Sequence, residues 1–435
     1  MQPTTAIALP DARAADVRRV ALASAIGTTI EWYDFFIYGT AAAVVFGPQF
    51  FPQVSRLAGA LAAFATFGVG FVARPLGGLV MGHYGDRLGR KSVFVWSLML
   101  MGLSTFAIGL LPNYARWGAW APALLVALRF MQGFALGGEW GGAVLMSVEH
   151  APRNRRGLFG SFVGLGLPAG SILSNLVFLA ASIVVAPDQF AAWAWRIPFL
   201  ASIVLVAVGL FVRAGLAESP VFADVLRTRA ARRTPVVDLF RDEGRTVCLA
   251  AGSYLSTSAL GYIVIVYFVS YATRELGLPL TTTLTLLLGS SAVFAISILA
   301  CARWSDRIGR QRMMTWGAGA LSVWSLVFFP LVDTKSIPLI ELALCGKLFI
   351  QGAYIGPQAA VFSELFPPAI RYSGTSISLA LGTILGGAVA PFIATALFSL
   401  AGNSHLITVY AVAVSLVSWV SARALQPSSV APPSR

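Results

Sequence analysis

Long apolar segments alternate with short polar breaks along almost the whole chain. Proline, glycine and clusters of charged residues mark the breaks. Because about 20 residues of α-helix cross the hydrocarbon core of a bilayer, each apolar segment predicts one membrane-spanning helix. The predicted helices lie at 20–45, 58–83, 91–111, 119–148, 157–186, 195–213, 246–274, 281–304, 313–332, 337–366, 372–400 and 404–424.

One break, residues 214–245, is much longer than the others and holds six arginines. It predicts a linker between two halves of six helices each. The predicted fold class is therefore an all-α polytopic membrane protein, with twelve transmembrane helices in two pseudo-symmetric six-helix bundles. The predicted divisions are a cytoplasmic N-terminal segment 1–19, an N-terminal bundle 20–213, a cytoplasmic linker 214–245, a C-terminal bundle 246–424 and a cytoplasmic tail 425–435.

The composition excludes several classes of protein. Apolar residues make up 57% of the chain and charged residues 11%, with a mean hydropathy of +0.77, whereas soluble domains have about 45–50% apolar and about 25% charged residues. A soluble enzyme, a disordered regulator and a disulfide scaffold are therefore excluded, and twelve spans leave no room for a catalytic domain. The three cysteines and three histidines show no metal-ligand spacing, so neither a metal nor a cofactor is predicted.

The basic residues are distributed unevenly between the two sides of the predicted membrane. If the N-terminus is inside, 23 of the 31 Lys and Arg residues fall in cytoplasmic segments and four fall on the other side. This asymmetry follows the positive-inside rule and predicts that both termini are cytoplasmic. It also accounts for the net charge of +13 without a nucleic-acid partner.

The two halves share two polar motifs at nearly the same spacing. The first motif follows helices 2 and 8, 220 residues apart, and the second follows helices 4 and 10, 215 residues apart. Parallel repeats of this kind are typical of secondary transporters. We expect the motif residues to hold the halves together in one conformation; the alternative is that they only anchor the topology. The candidate gating residues are Gly85, Asp86, Arg87, Arg90, Glu149, Arg156, Asp306, Arg307, Arg310, Glu364 and Arg371.

Five charged residues lie deep inside predicted helices. They are Glu31, Asp34, Arg129, Glu139 and Lys347. Facing lipid, each would cost about 2.5–3.5 kcal/mol, so we expect them to face a cavity or one another. Glu31, Arg129 and Lys347 reach similar depths near the middle of the membrane, where transporters bind substrates. The alternative is that Arg129 and Lys347 are paired between helices for structure alone.

Helices 10 and 4 each carry a polar stripe on one face. The stripe of helix 10 consists of Lys347, Gln351, Tyr354 and Gln358. The stripe of helix 4 contains Arg129, Gln132, Leu136 and Glu139. The spacing of the repeat aligns the two stripes, so both are predicted to face a central substrate site lined by helices 1, 4, 7 and 10.

Helix 1 carries candidate proton-binding groups. Glu31 and Asp34 are one turn apart, and Tyr38 follows a turn later among other aromatic residues. Two carboxylates this close in water-poor surroundings do not both ionise readily, so one is expected to hold a proton near neutral pH. Arg74 in helix 2 is the expected partner of one of them, for structure or for transport. Glu139 is a further candidate for proton coupling.

Helix 5 has a stripe of small and polar residues that favours close packing against another helix. Asn175 lies on this stripe and is also a candidate substrate contact. Tyr38 of helix 1 is a second candidate substrate contact.

The motif G-x-x-x-D-R-x-G-R-K at 82–91 resembles the signature of the major facilitator superfamily, and a degenerate copy lies at 306–310. Within that superfamily the chain is similar to the metabolite:proton symporters, on the strength of segments 31–39, 74–78, 133–142, 195–199 and 364–367. The resemblance implies a carrier of organic acids such as dicarboxylates, citrate and shikimate, or of osmolytes such as proline and betaine, together with protons. Osmosensing members have a long coiled-coil extension, whereas this chain ends soon after helix 12.

We therefore expect proton-coupled uptake of a small organic anion, a di- or tricarboxylate or related acid, by alternating access. The resemblance implies a monomer in the bacterial inner membrane. Arg129 and Lys347 would bind carboxylates and the acids of helix 1 would take protons. Symport of a zwitterionic osmolyte is the main alternative, although a buried cation at Lys347 suits a multi-carboxylate ligand better than an amine-bearing one. Drug/proton antiport and a nutrient sensor that binds without transporting are further alternatives.

Overall fold

The computed structural model describes residues 10–88, 90–137, 155–214, 235–367 and 370–426, and these residues form helices without any strand. Six long helices lie in the described ranges before residue 215, with short helical turns at Tyr114–Trp117, Pro187–Ala192 and Ala194–Arg196 between them, and six long helices follow residue 234. The first six are α1 (Pro10–Ala41, continued by Ala42–Phe46 and Gly47–Phe50), α2 (Arg56–Leu88), α3 (Arg90–Leu110), α4 (Trp120–Leu136), α5 (Arg156–Gly164 and Gly166–Val184) and α6 (Ile197–Ala214). The second six are α7 (Pro235–Tyr262, continued by Ile263–Tyr267 and Phe268–Arg274), α8 (Leu280–Ile308), α9 (Arg310–Asp333), α10 (Ile337–Leu365), α11 (Arg371–Thr383, Ile384–Ala388 and Ala390–Ala401) and α12 (His405–Ala424).

Most of these helices can span a membrane by length and composition. Nine of the helices in the described ranges are long and apolar enough, and Val95–Leu110 and Trp120–Leu136 are apolar but shorter. The helix outside this set is α1, which carries Glu31 and Asp34 in its middle. Both acids are buried inside the protein, so α1 presents polar groups inward and its low hydropathy does not imply contact with water.

The loops predicted after helices 2 and 8 are much shorter than expected. α2 continues to Leu88 and α3 begins at Arg90, while α8 continues to Ile308 and α9 begins at Arg310. The second connection is therefore Gly309 alone, with a φ of 105° that favours glycine. Arginine is a good helix former, so the charged motif extends the helices beyond the apolar segment instead of ending them.

α7 also begins earlier than predicted. It starts at Pro235, inside the segment 214–245 that the sequence predicts as a linker, and Glu243 interrupts it with a non-helical φ of −128°. Proline is favoured in the first turn of a helix because its missing N–H would have no partner there. The polar turns before Glu243 escape a prediction based on hydrophobicity because they carry Asp238, Arg241 and other charges.

The helices pair in the same way in both halves. In the first half α1 packs on α5, α2 on α4, and α3 on α6; in the second half α7 packs on α11, α8 on α10, and α9 on α12. Glycines permit the closest contacts, since a Cβ added at Gly133 of α4 would lie 1.8 Å from the carbonyl oxygen of Gly70 in α2. Small residues that let backbones approach are the usual means of helix association in lipid.

The two halves touch near both ends of the helices. From the predicted cytoplasmic end to the middle of the helices α5 packs on α8 and α10, and at the predicted external end α1 packs on α7 and α2 on α11. α1 and α7 each contain a π-helical turn, Ala42–Phe46 and Ile263–Tyr267, which begin 221 residues apart. The repeat seen in the charged motifs therefore extends to the backbone, and the polar residues between the two ends are enclosed.

We predict that Gly133→Ala lowers the melting temperature of the purified protein, because the new methyl group would push α4 away from α2. Overpacking of this kind costs about 1–3 kcal/mol. Gly244→Ala is the matched control, since a Cβ there would meet nothing within 4 Å. Equal melting temperatures for Gly133→Ala and the unchanged protein, measured by intrinsic fluorescence in detergent, would contradict this packing.

Candidate functional site

A row of hydrogen bonds crosses three helices of the first half. Arg129 Nη1 of α4 donates to Gln132 Oε1 at 3.2 Å, and Gln132 Nε2 donates to Thr105 Oγ1 of α3 at 2.7 Å. Thr105 Oγ1 in turn donates to Asp34 Oδ2 of α1 at 2.9 Å. Arg129 and Gln132 are fully buried, and Asp34 is 2% exposed. The row therefore links a buried cation to a buried acid through neutral side chains.

Two arginines of the first half lie against aromatic rings. The guanidinium carbon of Arg129 is 4.2 Å from the ring centroids of both Phe35 and Tyr38, and that of Arg74 is 4.4 Å from the ring of Phe35. The Tyr38 hydroxyl donates to Thr66 Oγ1 at 2.7 Å, so this ring is held in place. Cation–π contact is strongest where water is excluded, and it is one way to bury a guanidinium.

Glu31 and Asp34 are both buried beside these arginines. The charges of the two acids act on each other, and Glu31 and Arg74 interact electrostatically. The pairing of Arg74 with an acid of helix 1 stays a prediction. Its guanidinium also lies on the rings of Phe35 and Phe71.

Several polar atoms at this place have no hydrogen-bond partner within the described ranges. They are Arg74 Nε, Arg129 Nη2, Asp34 Oδ1 and the hydroxyl of Tyr262. A buried polar atom left without a partner costs about 1–3 kcal/mol, and most buried polar atoms in proteins have one. Unused donors and an unused acceptor thus lie in one buried region, which is an arrangement suited to receiving a polar ligand.

In the second half, the stripe of α10 faces α7. Lys347 Nζ donates to Gln351 Oε1, and Gln351 Nε2 donates to the carbonyl oxygen of Thr257 at 3.1 Å. Tyr354 donates its hydroxyl hydrogen to Ser253 Oγ at 3.0 Å. The stripe therefore joins two helices of the same half. Lys347 is buried at 3% exposure.

Gln358 completes the stripe of α10. It is 3% exposed, and its Nε2 has no hydrogen-bond partner within the described part of the chain. Gln358 thus differs from Gln351, whose amide is bonded at both ends.

Tyr262 of α7 brings the second half into contact with the arginines. Its ring centroid lies 5.4 Å from that of Phe67, 5.2 Å from that of Phe71 and 6.2 Å from that of Trp32. Electrostatic interaction also links Tyr262 to both Arg74 and Arg129. The buried polar region is therefore bounded by α1, α2, α3 and α4 on one side and by α7 on the other.

Asn175 lies at the contact between the two halves. Its Nδ2 donates to Ser171 Oγ at 3.2 Å, and the hydroxyl groups of Ser171 in α5 and Ser291 in α8 are 3.0 Å apart. The contact of Ser171 with Ser291 joins α5 to α8, whereas the hydrogen bond of Asn175 lies within α5.

A charged clasp joins the halves at the predicted cytoplasmic end. The carboxylate of Asp306 accepts hydrogen bonds from the backbone N–H groups of Gly157 at 3.0 Å and Leu158 at 3.1 Å, in the first turn of α5. Arg310 pairs with Asp306 at 2.9 Å and with Glu364 of α10 at 2.6 Å. A carboxylate is favoured at a helix N-terminus, where unpaired N–H groups and the helix dipole are positive.

The other candidate gating residues are placed less fully. Arg307 is exposed, Arg156 is half-buried, and Arg371 donates to the carbonyl oxygen of Phe366 at 3.3 Å. Glu139 and Glu149 lie outside the described residues. The surroundings of Gly85 and the side chains of Asp86, Arg87 and Arg90 also lie outside what the structure describes. No group of three His, Cys, Asp or Glu side chains that could hold a metal occurs in the ranges that the structure describes.

The fold and the buried site together define a multi-pass membrane protein whose two helical halves enclose a small charged region. The model of the Major Facilitator Superfamily matches residues 24–391, and the chain belongs to this family of membrane transporters. The protein is therefore a transporter and not an enzyme, and the superfamily resemblance and the twelve-helix fold class predicted from the sequence are confirmed.

The relatives carry metabolites. The chain is 41% identical to the shikimate transporter of Escherichia coli over 94% of this chain and 95% of that protein. It is 42% identical to the inner membrane metabolite transport protein YhjE of Escherichia coli, over 86% and 87% of the two chains. The glycine betaine/proline/ectoine/pipecolic acid transporter OusA of Dickeya dadantii is 30% identical, over 95% of this chain and 85% of that one. A partially occluded, inward-open structure of the Escherichia coli xylose transporter XylE has a TM-score of 0.74 at 16% identity, covering 95% and 98% of the two chains, which shows the fold alone.

Two residues of the site escaped the sequence prediction. Thr105 is one of four hydroxyl residues in an otherwise apolar helix, and helix 3 was not expected to contribute. Tyr262 belongs to the predicted lining helix 7, but it lies among several other tyrosines and hydroxyl residues of that helix. No local pattern marks either of them, because their importance depends on which way α3 and α7 are rotated.

We predict that Thr105→Val destabilises the protein by about 1–3 kcal/mol. Valine has nearly the shape of threonine but cannot donate to Asp34 or accept from Gln132. Thr105→Ser, which keeps the hydroxyl group, is the control and should retain most of the stability. Chemical or thermal unfolding in detergent would measure both variants. A valine variant as stable as the serine variant would show that the row of hydrogen bonds does not stabilise the protein.

Proposed function

We propose that the protein takes up a small organic anion, a di- or tricarboxylate or a related organic acid, together with protons by alternating access. The observation that carries the proposal is a pair of arginines with buried, unused donors, Nη2 of the fully buried Arg129 and Nε of the half-buried Arg74, beside the unused hydroxyl of Tyr262. Guanidinium N–H groups are well matched to a carboxylate, which can accept two of them at once. The similarity to the shikimate transporter of Escherichia coli supports the same class of substrate.

The aromatic rings argue against a quaternary ammonium substrate. Such ligands are bound over aromatic faces, but here the guanidinium groups of Arg74 and Arg129 already lie 4.2 to 4.4 Å from Phe35 and Tyr38. A third cation brought close to two others is repelled more strongly in a buried site than in water. The similarity to OusA keeps a zwitterionic osmolyte as the alternative, since its carboxylate could use the same arginines.

Coupling to protons follows from competition for the same positive charge. Asp34 is tied to Arg129 through Thr105 and Gln132. A substrate carboxylate arriving beside Arg129 would meet the negative charges of Asp34 and Glu31. Binding of a proton to one of these acids removes that repulsion, so the proton and the anion bind together and leave together. Glu31 and Asp34 are the proposed proton carriers, and Glu139 is a further candidate.

Lys347, Gln351, Tyr354 and Gln358 are proposed as the contribution of the second half to substrate binding. Lys347 offers a third cation, held by Gln351, and Gln358 offers an uncommitted amide. A ligand with a second polar end would use them, which supports a di- or tricarboxylate or a hydroxylated acid. Gln132 and Tyr38 contact Arg129 directly and are proposed as positioning residues.

The clasp formed by Asp306, Arg310 and Glu364 supports alternating access. It closes the predicted cytoplasmic end, and it must open for substrate to leave on that side. We propose that the two bundles, 20–213 and 246–424, rock about the buried site in a monomer with both termini in the cytoplasm. The motif at Asp86 would act as the second clasp at the equivalent place.

We predict that Asp34→Asn and Glu31→Gln separate exchange from accumulation. In proteoliposomes with an acidic outside, the unchanged protein should concentrate a radiolabelled acid from a panel of shikimate, succinate and citrate, because the gradient drives protons inward. Whichever of Asp34→Asn and Glu31→Gln removes the coupling carboxyl group should lose this accumulation. That variant should still exchange labelled for unlabelled substrate without a gradient. Asp188→Asn, at an exposed site outside the buried region, is the control and should behave like the unchanged protein.

Two results would contradict the proposal. If both variants still concentrate the acid under a pH gradient, helix 1 does not carry the coupling proton. If the unchanged protein accumulates glycine betaine and none of the acids, the osmolyte alternative is correct. Uptake that is equal with and without the pH gradient would exclude proton coupling altogether.

A further inference from the structure

A cavity lies apart from Arg74 and Arg129, at the predicted external end. Its volume is about 640 Å³, and residues of both halves line it. Among the lining residues are Pro48, Val54, Arg56, Phe190, Thr273 and Arg274. The first four belong to the first half and the last two to α7, so the cavity lies at the junction where the halves meet.

Both charged residues among its lining are arginines. Arg56 is exposed at the start of α2, Arg274 is half-buried at the end of α7, and their charges act on each other. Glu275 also interacts with Arg274 and offsets part of its charge. A concave surface lined by charge of one sign concentrates ions of the opposite sign and speeds their arrival.

A hydrogen bond fixes Arg274 in this position. Its Nη2 donates to the carbonyl oxygen of Ala43 at 2.8 Å, inside the π-helical turn of α1. π-helical turns are rare and occur frequently at functional sites. The bond anchors the end of α7 on α1 and holds the guanidinium group at the wall of the cavity that Arg56 also lines.

We propose that this cavity is an entry site that binds small carboxylates between Arg56 and Arg274 before they reach the buried arginines. The inference rests on the proposed uptake of an organic anion. Like-charged side chains from opposite halves repel each other unless an anion lies between them, and guanidinium groups match a carboxylate in shape and charge. The phosphate of an anionic lipid is an oxyanion of the same chemistry, so the experiment must distinguish a soluble acid from a headgroup.

The local charge can be tested without any transport. The full-length protein, with Cys248, Cys301 and Cys345 replaced by serine, carries Val54→Cys, whose parent side chain is 50% exposed in the cavity. It is reconstituted in phosphatidylcholine nanodiscs and labelled with two thiol reagents that differ only in carrying a sulfonate or a trimethylammonium group. We expect the anionic reagent to label Val54→Cys faster than the cationic reagent does, so that the ratio of the two labelling rates exceeds one. Arg56→Gln and Arg274→Gln should each lower this ratio by about threefold or more. Arg116→Gln, an exposed arginine outside the cavity lining, should leave it unchanged.

Competition by ligands tests the class of anion. Succinate should slow labelling of Val54→Cys by the anionic reagent, and succinamide at the same concentration, which is neutral and of similar shape, should not. The protection should be lost in Arg56→Gln and Arg274→Gln. A labelling ratio insensitive to both arginines, or equal protection by succinamide, would overturn the proposal. If succinate gives no protection in phosphatidylcholine nanodiscs, but nanodiscs that contain phosphatidylglycerol protect Val54→Cys from the anionic reagent, the site binds a lipid headgroup and the proposal is overturned.

This readout is independent of the proposed function. Labelling can fail to respond to Arg56 and Arg274 while the unchanged protein still accumulates acids, in which case only the entry site is wrong. Conversely, the protein can show no acid uptake while the labelling pattern is as expected, in which case the failure lies in the proposed transport.

Discussion

Two arginines share the face of one aromatic ring, and the rest of the site is arranged around them. Arg74 and Arg129 both lie on the ring of Phe35, where Arg129 is fully buried and Arg74 is half-buried with a buried Nε atom. A charge in such surroundings is costly unless it is paired or otherwise stabilised. Here the stabilisation comes from ring faces, from Gln132 and from the nearby acids of α1, and it leaves some guanidinium donors unused. The site therefore holds buried guanidinium donors without a partner, which is an arrangement suited to a polar ligand.

The same constraint explains why the acids of α1 are close by. Glu31 and Asp34 partly balance the arginines, but they interact unfavourably with each other. A proton on one acid and an anion on the arginines change the local charge in opposite directions. A carrier that binds the proton and the anion together, or neither of them, avoids two charge states that are hard to bury: the proton bound without the anion, and the anion bound without the proton. In the proposed mechanism, coupling follows from electrostatics within one cluster.

The sequence was sufficient for the fold and for much of the charged cluster. Long apolar segments located the helices, and charges inside them marked Glu31, Asp34, Arg74, Arg129 and Lys347 as unusual. What hydropathy cannot supply is the rotation of a helix about its axis. Thr105 and Tyr262 look like ordinary residues of α3 and α7, and only the packed structure shows that they join Asp34 to Gln132 and bring α7 against the arginines. The stripe of α10 was recognised, but its bonds to Thr257 and Ser253 of α7 depend on the same rotation. Helix ends were also mispredicted, because charged residues such as Arg310 continue the helices beyond the apolar segments.

Equilibrium binding of an acid and its neutral amide tests the central claim most directly. Calorimetry would compare shikimate with the corresponding carboxamide, using the purified full-length protein, Arg129→Lys and Arg129→Gln. We expect the acid to bind the unchanged protein at least about tenfold more tightly than the amide, since a charged hydrogen bond contributes about 1.5–3 kcal/mol. Arg129→Gln should remove this preference and Arg129→Lys should retain only part of it, because lysine keeps the charge but not the planar pair of donors. Equal affinity for acid and amide, or a preference for the acid that survives Arg129→Gln, would contradict the proposal that Arg129 binds the carboxylate of the substrate.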